Sequence, residues 1–138
     1  MSDLRVVLAD DHELVRAGLK SLVDATPGMR VVGEAGTGVE AIERARELGP
    51  DVLVMDVSMP VLDGVGATEQ ITHEYPGVKI LALTAHEDRA HLTHLLQAGA
   101  AGYVLKRAAV DELPDTPHFV TSRYSASAKQ HRLMAMTP

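Results

Sequence analysis

The chain has no cysteine and no tryptophan, and its only aromatics are Tyr75, Tyr103, Phe119 and Tyr124 among 138 residues. Without thiols, disulfide scaffolds, cysteine nucleophiles and Cys-type zinc sites are excluded, so any metal must be held by oxygen or imidazole. So few rings leave no platform for stacking bases. Positive charge is short as well. Residues 1 to 113 carry 10 Lys and Arg against 18 Asp and Glu, which argues against nucleic acid as a direct partner. No apolar run approaches the length of a bilayer span, so no membrane partner is expected. The start, MSDLRVVLADD, meets acidic residues too soon for a secretory signal, and the expected compartment is the cytoplasm.

What is present is the raw material of one α/β domain. Strand-like runs at Leu4–Ala9, Arg30–Glu34, Val52–Met55, Val78–Leu83 and Gly102–Leu105 alternate with amphipathic segments, a βα repeat. Leu14, Val15, Gly18, Leu19, Leu22 and Val23 recur at helical spacing before Pro27-Gly28. Thr37 and Glu40 have capping-box spacing ahead of an apolar face of Val39, Ile42, Ala45 and Leu48. A third helix is expected from Asp63-Gly64 through Ile71, and a fourth, on Leu92, Leu95 and Leu96, closed by Gly99. A fifth helix from about Ala109 is expected to stop early at Pro114 and Pro117. Residues 1–113 thus form the domain, and 114–138 an atypical tail, expected to be flexible and without a DNA-reading helix pair.

Four of the apolar runs end on residues able to handle a phosphoryl group: Asp10-Asp11, Asp56, Thr84 and Lys106. If the runs are parallel strands, these ends share one edge of the sheet, where ligands of open α/β sheets bind. Asp56 can be a nucleophile toward phosphorus, forming an acyl phosphate. Three carboxylates that close repel one another, and a divalent cation is the natural remedy. Oxygen-only ligation favours Mg²⁺, with Mn²⁺ able to substitute. Lys106 supplies a compact positive charge for a phosphoryl oxygen, and the Thr84 hydroxyl a donor for another.

As DD, MDVSMPVLDG, LTA and GYVLK, these residues resemble the receiver domain of two-component response regulators. ADDHELVRAGLKSL, VVGEAGTG and AGAAGYVLK are similar to the NarL/FixJ subfamily, whose members usually carry a LuxR-type helix-turn-helix. The fold expected is a flavodoxin-like (βα)5 three-layer sandwich with parallel sheet order 2-1-3-4-5. The resemblance implies that Asp56 accepts phosphate from a sensor histidine kinase. It further implies that Asp11, Asp56 and the Ser58 backbone carbonyl bind Mg²⁺, with Asp10 acting through water. Thr84 and Lys106 would contact the phosphoryl group, Thr84 and Tyr103 would form the conformational switch, and Ser58 and His86 would tune phosphate lifetime. Such a module is no separate enzyme, since it catalyses only its own phosphorylation and dephosphorylation. Homodimerisation is left open, through the first and fifth helices or through the fourth helix, fifth strand and fifth helix.

Arg107 stands where many receivers have proline, and the segment after Leu113 departs from the family. One alternative is therefore a receiver-like fold inactivated by truncation or a frameshift near codon 114. A second is a Mg²⁺-dependent aspartyl-nucleophile phosphatase of the haloacid-dehalogenase type, which needs a second Asp where this chain has Ser58. A flavodoxin-like cofactor binder would want a hydroxyl-rich phosphate loop and more aromatics. His86, His91 and His94 invite a zinc reading but lack a fourth ligand.

Overall fold

The computed structural model describes residues 3–57, 64–85 and 88–117. Its elements are β1 (Leu4–Ala9), α1 (Glu13–Asp24), β2 (Met29–Ala35), α2 (Gly38–Leu48), β3 (Val52–Asp56), α3 (Gly64–Glu74), β4 (Lys79–Thr84), α4 (Arg89–Gln97), β5 (Gly102–Leu105) and α5 (Ala109–Glu112). All strand pairs are parallel, in the order β2-β1-β3-β4-β5. This is the expected flavodoxin-like architecture.

Strand side chains alternate between two cores, which explains why β1, β3 and β4 read as continuous apolar runs. Val6, Leu8, Val54, Leu81, Leu83 and Val104 face Leu19 and Val23 of α1 and Ala109 of α5. Val7, Ala9, Leu53, Met55 and Ile80 face Ala41 and Ala45 of α2 and Ala67 and Ile71 of α3. Leu92 and Leu95 seat α4 against Ala82 and Tyr103.

Two expected helix faces need correction. Leu14 is 87% exposed and Val15 46%, so α1 buries Leu19 and Val23 instead. Five residues at 3.6 per turn put Leu14 about 140° around the helix from Leu19, on the outer side. In α2, Val39 is 46% exposed, and the buried stripe is Ala41 and Ala45. The Thr37 cap forms, with its hydroxyl accepting from the Glu40 amide at 3.1 Å. Glu40 returns to the Gly36 amide at 2.7 Å, one residue short of a true capping box.

The fifth helix is short, as Pro114 requires: four α-helical residues give way to a 3-10 turn over Leu113–Asp115. Leu113 is nonetheless fully buried in the α1-side core, and the Thr116 hydroxyl donates to the Leu113 carbonyl at 2.6 Å. Residues 118–138 lie outside the described residues.

Two glycines meet local backbone demands, Gly64 at the functional edge and Gly99 at the opposite one. A Cβ on Gly64 would collide with Val57 and the Asp56 carbonyl, so only glycine lets α3 begin against the end of β3. Gly99 closes α4 at φ +111°, a conformation that disfavours any side chain.

Candidate functional site

Register brings the strand ends together. Ala9 pairs with Met55, Asp56 with Leu83, and Thr84 with Leu105, so Asp10, Asp56, Thr84 and Lys106 emerge on one edge. The observed β4 ends one residue later than its apolar run suggests, which makes Thr84 its last residue.

Asp56 is fully buried, and Asp10 is 1% exposed. The Lys106 ammonium lies 3.1 Å from Asp56 Oδ2, forming a charge-assisted hydrogen bond that reaches across from the far strand. Burying carboxylates is costly unless they are paired or hydrogen-bonded. Here Asp10, Asp11 and Asp56 lie together with the Lys106 ammonium bonded to Asp56, and the buried Asp10 Oδ2 has no hydrogen-bond partner among the described residues. One ligand atom each from Asp10, Asp11, His12 and Asp56 lies within 4.8 Å of the others. Such oxygen-rich donors suit a hard divalent cation, and the orphaned oxygen is an observation of this molecule that fits one.

The site is braced from outside. The Asp10 amide donates to the Ala35 carbonyl at 3.0 Å, and Asp10 Oδ1 accepts from the His12 amide at 2.8 Å. Arg16 donates Nη1 to the Asp10 carbonyl at 2.6 Å and Nε to Glu34 at 2.9 Å, tying α1 to β1 and β2. On the other side, Thr84 Oγ1 is 3.1 Å from His91 Nε2 of α4. Asp88 caps that helix, accepting from the His91 amide at 3.0 Å.

Of the residues singled out by sequence, Asp10, Asp11 and Asp56 cluster, with Lys106 bonded to Asp56. Thr84 lies buried at the neighbouring strand end, and Tyr103 is buried against Ala82, Leu92 and Leu95. Ser58 and His86 lie outside the described residues. His91 turns to Thr84, whereas His94 lines a groove with Glu69 and His73 between α3 and α4, so these two histidines serve different surroundings. Three contacts at the site were not anticipated: those of His12, of Arg16, and of His91 with Thr84. His12 had a signal, since it follows the Asp pair directly. Arg16 and His91 had none, because their partners are set by tertiary approach.

A response regulator receiver domain family model matches residues 6–116. Response regulator GacA of Pseudomonas viridiflava is 44% identical over 110 residues, covering 80% of this chain and 51% of that protein. The chain thus spans about half the length of that curated relative. A two-component response regulator of the LuxR family from Aurantimonas sp. SI85-9A1 superposes with TM-score 0.84 at 34% identity, covering 96% of this chain and 95% of that one. The isolated REC domain of RcsB from Salmonella enterica serovar Typhimurium, solved in the presence of phosphomimetic BeF3−, gives TM-score 0.82 at 28% identity, covering 96% and 99%. No described helix is long and apolar enough to cross a membrane. A family match over most of the chain, joined to this sheet order and this acidic strand edge, makes the chain a member of the response regulator receiver family of two-component signalling.

Proposed function

We propose that this receiver takes a phosphoryl group onto Asp56 from the phosphohistidine of a sensor histidine kinase. An Asp56 carboxylate oxygen attacks phosphorus in line, the P–N bond breaks with its electron pair leaving on the imidazole, and an acyl phosphate results. Water later cleaves the acyl phosphate and restores the carboxylate. The observation that carries this reading is the fully buried Asp56, held by Lys106 at 3.1 Å inside a three-carboxylate cluster.

Each neighbour has a role in that reading. The Lys106 ammonium leaves Asp56 Oδ2 for a phosphoryl oxygen, and the Thr84 hydroxyl donates to another. Asp11, Asp56 and the Ser58 carbonyl would hold Mg²⁺, with Asp10 acting through water, and the ion when bound would supply positive charge for the phosphoryl group. Contacts made by Thr84 and Lys106 only after phosphorylation shift the population toward a second conformation, in which Tyr103 repacks and the face of α4, β5 and α5 changes. The RcsB relative, solved in the presence of phosphomimetic BeF3−, supports a phosphoryl-type ligand for this fold. Exposed Leu14 and Val15 on α1 lie beside the acidic edge and offer a surface for the donor kinase.

Incubation with acetyl phosphate tests the reading by intact mass. One added phosphoryl group is expected, labile to hydroxylamine, present with Mg²⁺ and absent with EDTA. An unmodified chain under both conditions would overturn it.

A further inference from the structure

The carboxylates of the strand edge have an imidazole among them. His12 is the N-cap residue of α1, with extended backbone, yet its side chain makes no cap hydrogen bond. Its ring turns back to the acids instead. Nδ1 is 3.1 Å from Asp11 Oδ1 and 3.3 Å from Asp10 Oδ1. It belongs to the group of four whose donor atoms all lie within 4.8 Å of one another. Around an ion with ligands at about 2.1 Å, opposite donors are roughly 4.2 Å apart and adjacent ones roughly 3 Å. Closing the four onto one ion therefore takes only a small contraction. The ring is well placed to make it, since its side chain is 63% exposed.

A second observation points to a ligand. Asp10 is 1% exposed, and its Oδ2 is buried with no hydrogen-bond partner among the described residues. A buried carboxylate oxygen in that position calls for a partner beyond the described side chains.

We propose that His12 Nδ1 is a ligand of the cation held at this edge, an imidazole added to the carboxylates gathered there. The inference rests on the reading that the cluster binds a divalent cation. Its consequence is selectivity. Mg²⁺ keeps to oxygen ligands, whereas imidazole suits first-row transition ions, so this set selects Mn²⁺ over Mg²⁺. A ring that only donated a hydrogen bond to Asp11 would carry no such preference.

Electron spin-echo modulation of the full chain loaded with one equivalent of Mn²⁺ tests this directly. Wild type is expected to show ¹⁴N modulation from a bound imidazole. The modulation is expected to vanish in His12→Ala and His12→Gln, both of which still bind Mn²⁺ roughly tenfold more weakly, while Mg²⁺ affinity moves by less than about twofold. Bound Mn²⁺ without ¹⁴N modulation in wild type would overturn the proposal. So would modulation that persists in both variants, since the nitrogen would then belong to another residue. A wild-type chain that takes up no Mn²⁺ and no Mg²⁺ would overturn the cation-site reading beneath it.

Discussion

Two aspartates bracket β3, Asp51 just before it and Asp56 at its end, and they have opposite circumstances. Asp51 is exposed, and its carboxylate accepts from the Arg5 amide at 2.8 Å. Its own amide and carbonyl extend the ladder, to the Arg5 carbonyl at 2.9 Å and from the Lys79 amide at 3.1 Å. Water and one backbone donor satisfy it. Asp56 is fully buried beside two further acids, with Lys106 drawn in from β5. The same side chain, five residues along, passes from a strand-end brace to a group that the fold has to neutralise. In a parallel sheet the C-terminal edge is where loops diverge and open a crevice, so chemistry gathers there.

Substitutions can break this comparison, beginning with the largest effect. Asp56→Asn is expected to abolish acetyl-phosphate labelling, while Asp51→Asn labels at the wild-type rate. Intact mass against time checks both, and equal labelling of the two variants would refute the asymmetry. Lys106→Ala is next, expected to slow labelling by about 10²-fold, the usual effect of losing one donor to a developing anion.

Asp10→Asn sharpens the contrast further, because it replaces an unpartnered buried oxygen with a donor beside carboxylates. In EDTA it is expected to stabilise the fold by about 1 kcal/mol in urea melts, and in a titration to weaken divalent binding roughly tenfold. A loss of metal-free stability would mean that Asp10 is satisfied in a way its neighbours do not show. At the other end, Asp51→Ala is expected to cost about 0.5–1.5 kcal/mol through the Arg5 amide and to leave divalent affinity unchanged.

Smallest is the effect at an aspartate that bonds to neither, Asp24 at the end of α1. The Asp24 carboxyl is held below its ordinary value by hydrogen bonds from the Lys20 ammonium first and then the Val31 amide. A depressed carboxyl contributes stability above its unfolded pKa and loses it as pH falls through the folded one. Asp24→Asn is therefore expected to flatten the acid limb of the stability curve slightly. An unchanged limb would show that solvent screens this exposed pair entirely.

Much of this was legible in the chain itself. Buried parallel strands leave continuous Val, Leu and Ile runs, so five strands and the polar residues at their ends could be read directly, whereas the register that sets Asp56 level with Leu83 and Val104, with Lys106 two residues on reaching back to it, could not. Helix faces were harder to read. Leu14 and Val39 fit a helical period as well as Leu19 and Ala41 do, and only the direction of approach to the sheet decides which is buried. Contacts such as Arg16 with Asp10 and His91 with Thr84 depend on how helices are set against strand ends, which no local pattern encodes. The short α5 was readable because proline acts locally, whereas the burial of Leu113 beyond it was not.

Borohydride reduction of the acetyl-phosphate-treated chain converts an aspartyl phosphate to homoserine, and peptide sequencing by mass spectrometry then reads the position. Asp51 and Asp56, at opposite ends of one strand, are compared within a single molecule. Homoserine at residue 56, with residues 10, 11 and 51 unchanged, is the predicted result. Homoserine at any of those three positions, or at none, would contradict a phosphoacceptor at the C-terminal end of β3.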